Sequence, residues 1–330
     1  MSAALVTGAA GFIGSAVARA YLDAGIDVIG VDAMRPTYSP LLKQDNLQDL
    51  IEHPRFTFHE RDLARDEIDD LLRDVDVVSH HAGRAGLRDS WGGAFAPCLD
   101  DNVAATQHLL EAVARGPQLR RVIVVSSSSV YGQAAAFPTR EDATPAPLSP
   151  YGVSKLAAEH LGVAYASVHV IPVVCLRYFS VFGPRQRPDM AFSRMIEAAT
   201  GGPVFPLLGS GEQRRDYTYV GDVADANLAC VRADLAPGTV LNIAGGVHVS
   251  VLEALEVVVE VVGAEVPVDR RPSAPGEAQR TSGDTTAAQA LLGWRPRTGL
   301  RAGLEAQYAA HVAQQSRLPG AADEPADVTV

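Results

Sequence analysis

Lysine, cysteine and long apolar segments are all scarce in this chain of 330 residues. Only two lysines, Lys43 and Lys155, occur among 28 basic residues, so arginine carries nearly all of the positive charge. The three cysteines are far apart, and their spacing matches neither a metal site nor an even disulfide framework. This usage predicts reduced, buried thiols in a cytoplasmic protein that has no metal site.

The chain also lacks features of exported, membrane-spanning and nucleic-acid-binding proteins. No apolar run approaches the roughly 20 residues that span a bilayer, and the N terminus has no basic segment followed by a long apolar stretch. A net charge of −11 argues against a basic surface for nonspecific nucleic-acid binding. With 47% hydrophobic and 20% charged residues, the composition is typical of a soluble globular protein with one large domain or two.

Short β-branched segments alternate with amphipathic helical stretches through the first half of the chain. Two of the helical stretches are 14–25 and 102–116. The candidate strands are 3–7, 26–32, 55–60, 75–80, 121–127 and 170–178. This alternation predicts an α/β fold with a doubly wound, parallel, Rossmann-type sheet, and the apolar strands predict that helices cover both of its faces.

The composition changes after about residue 180, where glycine and proline become frequent. We predict a Rossmann domain over 1–180 and a smaller C-terminal substrate lobe over 181–313, above the carboxyl ends of the strands. Within the second segment, 239–246 is predicted to be a strand that could return to the main sheet, and 250–263 a helix. Residues 314–330 have no core pattern and are predicted to form a flexible tail.

The stretch VTGAAGFIG places a glycine-rich turn between the first predicted strand and the first helix. Gly8, Gly11 and Gly14 permit a tight turn that brings a phosphate close to backbone N–H groups at the helix N terminus. Asp32 ends the second strand, where a carboxylate accepts the ribose hydroxyls of NAD and repels the 2′-phosphate of NADP. The turn and Asp32 together predict bound NAD, whereas the nearby Arg35 favours NADP.

Tyr151 and Lys155, in SPYGVSKLAAE, form a second motif. Pro150 is typical of a helix start, which puts the two side chains one turn apart on one face. The ordinary pKa of tyrosine is about 10, and we expect the lysine ammonium and a cationic nicotinamide to lower it by stabilising tyrosinate. Tyr151 is therefore predicted to be a general base, and Lys155 is also predicted to bind the nicotinamide ribose.

The serine run in VVSSSSVYG follows a buried strand and lies at the ligand edge of the predicted sheet. Ser127 is placed to bond a substrate hydroxyl and to pass its proton to Tyr151. A serine-rich turn without a chemical role is the alternative. Metal binding by the adjacent His80 and His81 is disfavoured, because neighbouring side chains on a strand point to opposite faces.

Together with RRDYTYVGDVADA at 214–226, these motifs resemble the extended short-chain dehydrogenase/reductase family, and within it the nucleotide-sugar epimerases and dehydratases. The resemblance extends from residue 3 to about residue 310. It implies NAD as cofactor, a UDP-sugar as substrate and a homodimer that forms through helices near 102–116 and 151–166. It also implies further cofactor-binding residues, namely Phe12, Ile13, Asp62, Leu63, Ala82, Gly83 and Tyr178.

The substrate-side residues look most like those of UDP-glucuronate 4-epimerases. The family's 4,6-dehydratases carry an Asp-Glu pair, and its uronate decarboxylases a Glu, where this chain has Ser128 and Ser129. Galactose-type epimerases have an Asn where this chain has Ser180, and a hydroxyl there can donate to a sugar carboxylate. The resemblance also implies binding of substrate phosphate or carboxylate by Arg88, Arg187 and Arg215.

The activity that the resemblance implies is 4-epimerisation of UDP-glucuronate through a transient 4-keto sugar, with NAD regenerated in each cycle. The alternative activities are UDP-glucose or UDP-N-acetylglucosamine 4-epimerisation and UDP-uronate decarboxylation, and the non-enzymatic alternative is an NAD-binding sensor. The presence of Ser127, Tyr151 and Lys155 disfavours a sensor, which needs no proton relay. For Arg215, an ion pair with Asp216 or Asp222 is the alternative to diphosphate binding.

Overall fold

The computed structural model describes residues 3–318, in which strands and helices alternate from the N terminus onward. The strands are β1 (Ala3–Thr7), β2 (Asp27–Asp32), β3 (Phe56–Glu60), β4 (Val77–His80), β5 (Arg121–Ser127), β6 (Val173–Tyr178), β7 (Val181–Phe182), β8 (Phe205–Leu208), β9 (Arg214–Asp216), β10 (Thr218–Tyr219), β11 (Thr239–Ile243), β12 (His248–Ser250) and β13 (Val268–Arg271). The helices are α1 (Phe12–Asp23), α2 (Pro40–Ile51), α3 (Phe95–Leu99), α4 (Ala105–Arg115), α5 (Pro150–His169), α6 (Ala191–Ala199), α7 (Val220–Arg232), α8 (Val251–Val262), α9 (Thr286–Leu292) and α10 (Leu300–Arg317). A π-helical turn, Asp100–Ala104, joins α3 to α4, and a 3₁₀ turn, Ser128–Tyr131, follows β5.

Seven parallel strands form the main sheet in the order β11-β6-β5-β4-β1-β2-β3. The strand order changes direction between β1 and β4, so the sheet is doubly wound and its ligand edge lies at the carboxyl ends of these strands. This architecture confirms the predicted Rossmann-type α/β fold. The predicted strand over 239–246 returns to the main sheet, because β11 pairs with β6 along its whole length.

Apolar side chains bury both faces of the sheet. On one face, α1 packs against α7 in a core cluster to which Val17 and Val223 belong. On the other face, Leu109 and Leu110 of α4 pack against strands β4 and β5 in a second cluster. Burial on both faces explains why these strands are apolar throughout. Within residues 3–318, no helix is both long enough and apolar enough to cross a membrane.

A separate apolar core holds the C-terminal lobe together. It joins Phe182, Phe192, Ala254 and Leu304, which lie on β7, α6, α8 and α10. Three two-stranded sheets complete this part of the protein: β7 with β10, β9 with β12, and β8 with β13. The predicted helix over 250–263 is α8, and a reciprocal capping box at its first turn explains where it begins.

The last helix, α10, continues into the segment for which the sequence predicts a flexible tail. Gln314 Nε2 donates to Asp45 Oδ2 at 2.8 Å, and Arg317 pairs with the same buried carboxylate at 3.0 Å. The tail prediction is therefore wrong for residues 314–317, because these contacts attach the end of α10 to α2. The remainder of the predicted tail, from residue 319, lies outside the described residues.

Candidate active site

The glycine-rich turn after β1 packs closely against the chain that follows β4. Gly8 has a φ of 68°, and a Cβ at this position would lie 2.8 Å from the backbone nitrogen of Ala82. A Cβ on Gly14 would lie 2.1 Å from the Gly8 oxygen, so α1 can approach the strand this closely only with glycine. The first turn of α1 has no side-chain cap. Its backbone N–H groups therefore form a cradle that suits a dinucleotide phosphate at the ligand edge.

Asp32 is buried at the end of β2, and its carboxylate accepts three hydrogen bonds. The donors are the backbone nitrogens of Met34 at 2.8 Å and Ala10 at 3.2 Å, and Lys43 Nζ at 3.1 Å. The Lys43 side chain on α2 is only 8% exposed, so this is a buried ion pair. No motif marks Lys43 for this position, although the rarity of lysine in the chain is a signal. The glycine turn and the Asp32 carboxylate together fit the phosphate and ribose of NAD.

Arg35, the residue that favours NADP in the sequence, is bonded to other carboxylates. Its guanidinium pairs with Asp62 at 2.7 Å and with Asp101 at 3.3 Å. Asp62 also pairs with Arg65 at 2.7 Å, so this predicted cofactor residue has two cationic partners. The cation bonded to Asp32 is therefore Lys43 and not Arg35.

Five other predicted cofactor residues open α1 or follow β3 and β4, at the ligand edge of the sheet. Phe12 and Leu63 are buried, Ile13 and Ala82 are half-buried, and Gly83 is exposed. The Ala82 nitrogen donates to Thr7 Oγ1 at 3.1 Å, which holds the chain after β4 beside the turn. Tyr178 lies deeper in the core. Its hydroxyl accepts from Asn227 Nδ2 at 2.7 Å, and its ring stacks on His81 with centroids 6.3 Å apart.

The helix that carries Tyr151 and Lys155 begins where the sequence predicts. Ser149 caps α5 by accepting from the Gly152 nitrogen at 3.1 Å, and Pro150 occupies its first position. The backbone nitrogen of Tyr151 donates to Ser90 Oγ at 3.1 Å, which ties the helix start to the loop after β4. Lys155 follows one turn later and is buried.

Ser127 ends β5 and lies near the phenol of Tyr151. The Ser127 hydroxyl accepts from the Ser129 nitrogen at 3.1 Å and lies 3.1 Å from the Ser129 hydroxyl. The Ser127 side chain also acts to lower the pKa of the Tyr151 phenol, which places the two groups near each other. The structure therefore brings Ser127 close to Tyr151, with Lys155 on the next turn of the same helix.

The electrostatics of this group differ from the expectation drawn from the tyrosine–lysine spacing. Burial raises the pKa of the Tyr151 phenol, and the hydrogen bond with Ser127 and the charge of Arg187 offset this only in part. Burial also lowers the pKa of Lys155, to about 8. The expected lowering includes the charge of a bound nicotinamide and stays a prediction; in the protein alone, desolvation disfavours the Tyr151 phenolate more than Ser127 and Arg187 stabilise it, so the pKa is raised.

The two adjacent histidines, at the end of β4 and just after it, are packing residues. The His80 ring bridges Thr7 Oγ1 at 2.8 Å and Thr106 Oγ1 at 2.9 Å. Burial, and then the charge of Lys155, lower the pKa of His80 to about 3, so its imidazole is neutral at physiological pH. Among residues 3–318, no group of three or more His, Cys, Asp or Glu side chains is arranged to hold a metal ion.

A buried ion pair fixes α5 against strands β5 and β6. Arg177 Nη2 donates to Glu159 Oε1 at 2.6 Å, and both side chains are fully enclosed. Ser126, the neighbour of Ser127, donates from its hydroxyl to Glu159 Oε2 at 2.6 Å. Arg177 also donates to the Tyr131 hydroxyl at 2.6 Å. This network fixes α5, which carries the predicted base Tyr151, relative to β5, which ends at the predicted relay Ser127.

The three serines predicted to bind substrate follow neighbouring strands. Ser127 pairs with Tyr178 across β5 and β6, so Ser129 and Ser180 each stand two residues beyond the same register position. Ser128 is buried, whereas Ser129 and Ser180 are half-buried. Within the described part of the chain, no hydrogen bond engages the Ser180 hydroxyl. All three hydroxyls therefore lie at the ligand edge near the Ser127–Tyr151 contact.

Arg88 and Arg215 share one carboxylate that the sequence analysis missed. Glu277 lies 2.8 Å from Arg88 Nη2 and 3.6 Å from Arg215 Nη2. The alternative of an ion pair between Arg215 and Asp216 or Asp222 is wrong, since those carboxylates accept backbone N–H groups instead. Glu277 is 189 residues along the chain from Arg88, and no local pattern marks it.

The two arginines after β7 have different surroundings. Arg187 pairs with Asp189, and its Nη2 donates to the Ala85 oxygen at 3.3 Å. Its charge acts on the phenol of Tyr151, which places it near the predicted base. Arg185 instead pairs with Asp49 on α2 at 2.8 Å. Of these two arginines, Arg187 is the one whose charge acts on Tyr151.

Comparison with known proteins gives consistent relatives along nearly the whole chain. The family model described as "NAD dependent epimerase/dehydratase family" matches residues 4–244. A UDP-glucuronic acid 4-epimerase from Bacillus cereus, solved with UDP-glucuronic acid and NAD, is 39% identical; the match covers 94% of this chain and 99% of that chain, with a TM-score of 0.91. An uncharacterized UDP-glucose epimerase of Bacillus subtilis strain 168, YtcB, is 38% identical over 92% of this chain and 96% of its own length. A UDP-glucuronate 4-epimerase of Thermodesulfobacterium geofontis is 31% identical over 91% of this chain and 93% of its own length.

Proposed function

Because the chain belongs to the NAD-dependent epimerase/dehydratase family, we propose that it catalyses the 4-epimerisation of a UDP-sugar, converting UDP-glucuronate to UDP-galacturonate. The observation that carries this proposal is the proximity of Ser127, at the end of β5, to Tyr151 at the start of α5, with Lys155 one turn away. The choice of a uronate is supported by the serines at 128 and 129 and by the UDP-glucuronate epimerases among the relatives.

The two parts of the chain divide the binding tasks. Residues 1–180, together with β11, form the part that binds NAD, and residues 181–313 form most of the part that binds the nucleotide sugar. The glycine turn holds the phosphates, and Asp32 accepts the ribose hydroxyls. NAD, when bound, supplies the chemistry of accepting hydride from C4 of the sugar and returning it.

Tyr151 moves the proton at O4 of the sugar. Its phenolate removes this proton with help from the Ser127 hydroxyl, and the phenol returns it when the opposite configuration forms. The pKa of Lys155 is about 8, so its ammonium is largely charged at neutral pH and supplies the positive charge that phenolate requires. The 4-keto sugar must turn over in the pocket between the two transfers, so that hydride returns to its other face.

The C6 carboxylate of the substrate needs its own binding site, and Ser128, Ser129 and Ser180 supply three hydroxyl donors for it. The 4-keto form of a uronate is a β-keto acid, which loses CO2 when the C5–C6 bond aligns with the carbonyl π system. Hydrogen bonds that hold the carboxylate out of this alignment favour epimerisation over decarboxylation. The lack of an acidic residue at 128 and 129 is consistent with this outcome.

UDP-glucose 4-epimerisation is the second candidate, supported by the Bacillus subtilis relative. The test is to incubate the purified protein separately with UDP-glucuronate, UDP-glucose and UDP-N-acetylglucosamine, and to separate the products by chromatography. We expect UDP-galacturonate to form fastest. Faster turnover of UDP-glucose would select the second candidate, and bound NAD without turnover of any of the three sugars would favour a sensor.

We also propose that the protein is a homodimer that forms through α4 and α5. The exposed apolar side chains of Val153 and Val163 on α5, and of Leu99 at the end of α3 just before the π-helical turn that leads into α4, support an apolar contact surface in this region. Light scattering should give twice the chain mass for the native protein and the chain mass for Val163→Asp; a monomeric native protein would contradict the proposal.

The three cysteines, all buried and free, support the cytoplasm as the compartment.

A further inference from the structure

Helix α2 supports the cofactor site with two side chains. Lys43 Nζ lies 3.1 Å from Asp32 Oδ1, and both side chains are buried. Asn46, which is also buried, donates from Nδ2 to the Ala10 oxygen in the glycine turn at 2.9 Å. The position of α2 therefore sets two parts of the cofactor site, namely the carboxylate that suits the ribose hydroxyls and the turn that suits the phosphates.

The end of α10 holds α2 through a buried carboxylate. The Asp45 side chain is 4% exposed, and it accepts from Gln314 Nε2 at 2.8 Å and from the Arg317 guanidinium at 3.1 and 3.2 Å. Among the residues that the structure describes, these two side chains are its hydrogen-bond donors. Leu318, just after α10, packs with Leu42 of α2 in a small apolar cluster. Helix α10 is thus attached to α2 by a polar and an apolar contact.

The two sets of contacts lie on different faces of α2. Residues three apart in a helix share a face, so Leu42 and Asp45 are directed to α10. By the same spacing, Lys43 and Asn46 are directed to the cofactor site. A carboxylate with so little exposure is costly without its donors, so Asp45 fixes α2 relative to α10. A displacement of the end of α10 therefore displaces the face of α2 that supports the cofactor site.

Helix α10 belongs to the C-terminal lobe, so this attachment joins that lobe to the Rossmann domain. Leu304, near the start of α10, lies in the apolar core of the lobe. A second residue of the lobe, Arg185, donates to the Asn46 oxygen at 3.3 Å and pairs with Asp49 of α2 at 2.8 Å. The lobe predicted to bind the sugar therefore holds α2 at two places, and α2 in turn supports the cofactor site.

We propose that Gln314 and Arg317 are positioning residues for NAD. By holding Asp45, they keep α2 where its other face supports Asp32 and the glycine turn. Retention of the cofactor then depends on the C-terminal lobe. Neither residue belongs to a motif, and the sequence predicts a flexible tail from residue 314. The inference concerns the cofactor and does not depend on which UDP-sugar reacts.

Exchange of bound NAD for isotopically labelled NAD, followed by mass spectrometry, measures cofactor release without any sugar. Arg317→Met should release NAD at least about fivefold faster than the native protein, which is the lower end of the usual coupling between two sites. Arg317→Lys keeps a cation for Asp45, so its release should be slower than that of the methionine variant. The matched control is Arg301→Met on the same helix, because Arg301 is 54% exposed and pairs with the exposed Glu260. Its release should equal that of the native protein.

A double variant tests whether the effect passes through α2. Lys43→Met should itself speed NAD release, because Asp32 loses its buried cation. Adding Arg317→Met should then have a smaller effect than it has in the native protein, since both changes act on the same support of Asp32. Effects that multiply would overturn the proposal, because Arg317 would then act independently of the cofactor face of α2.

A merely structural role for Arg317 gives a different result. Arg317→Met leaves Asp45 with one donor, so its unfolding temperature should fall, but a structural role alone would leave NAD release from the folded protein unchanged. Release no faster than in Arg301→Met would therefore overturn the proposal at any unfolding temperature.

Gln314→Ala keeps the ion pair between Arg317 and Asp45 and replaces Arg317→Met if that variant does not fold. It should release NAD faster than Arg301→Met does, and equal rates would overturn the proposal. If NAD release depends on Gln314 and Arg317 but no UDP-sugar is epimerised, the proposed function fails and this inference stands.

Discussion

Removing one member of the buried ion pair between Glu159 and Arg177 should destabilise the protein strongly. In Arg177→Met, the Glu159 carboxylate is 3% exposed and loses guanidinium hydrogen bonds of 2.6 and 2.9 Å. Among the residues that the structure describes, Ser126 is then its one remaining hydrogen-bond donor, at 2.6 Å. Leaving one charge buried without its partner costs about 3–5 kcal/mol. We expect the free energy of unfolding to fall by this amount.

The double variant Glu159→Leu/Arg177→Met should be more stable than the single variant, because it removes both charges. Replacing a buried pair with apolar groups of similar volume is often close to neutral. Here the Ser126 hydroxyl loses its acceptor, which costs about 1–3 kcal/mol, whereas the Tyr131 hydroxyl keeps Asn242 at 2.8 Å. The double variant should therefore recover roughly 2 kcal/mol of the loss. Its kcat should remain low, because the hydrogen bond that joins Glu159 on α5 to Ser126, the neighbour of Ser127 on β5, is lost.

Guanidinium unfolding followed by fluorescence measures these differences, because Trp294 is buried and its indole donates to the Asp222 oxygen at 2.9 Å. Arg140→Met is the control, since Arg140 and Asp142 form an exposed pair. This control should show no measurable loss of stability. A loss of less than about 1 kcal/mol in Arg177→Met, or a double variant less stable than the single, would refute the reasoning from an uncompensated buried charge.

Four further substitutions or measurements test the site. Tyr151→Phe removes only the ionisable oxygen, so it should fold and bind NAD but lose at least about 10²-fold in kcat; a variant with more than a tenth of native kcat would exclude Tyr151 as the base. Lys155→Met removes an ammonium whose pKa burial lowers to about 8, so it should lose activity at pH 7 without a lower unfolding temperature, and a clear drop in that temperature would contradict this account. Ser180→Ala should raise KM for UDP-glucuronate about tenfold, since a hydrogen bond to a charged group contributes roughly 1.5–3 kcal/mol, and NMR should detect more decarboxylated UDP-4-keto-pentose; equal losses with UDP-glucose and no such product would favour a galactose-type enzyme. Asp32 should select NAD over NADP, both in mass spectrometry of the released cofactor and in titrations, and equal or tighter NADP binding would show that Lys43 outweighs the carboxylate.

Local patterns in the sequence were sufficient for the sheet and for the helix that carries the predicted base. The position of the glycine turn follows from sterics, because a Cβ at Gly14 would collide with the chain only six residues earlier. Pro150 and the Ser149 cap start α5, and the helical period then puts Tyr151 and Lys155 on one face. Each of these features depends on residues within one or two turns of each other, so spacing alone predicts them.

Tertiary structure alone decided which charged groups meet. Glu277 reaches Arg88 from 189 residues away, Lys43 pairs with Asp32, and Arg185 pairs with Asp49. Long charged side chains can reach many carboxylates, so the packing of helices, strands and lobes determines their partners, and periodicity carries no information about this packing. The pKa of Tyr151 follows the same rule, because the cation that lowers it is Arg187, which no local spacing indicates, and only the fold determines that burial outweighs this charge.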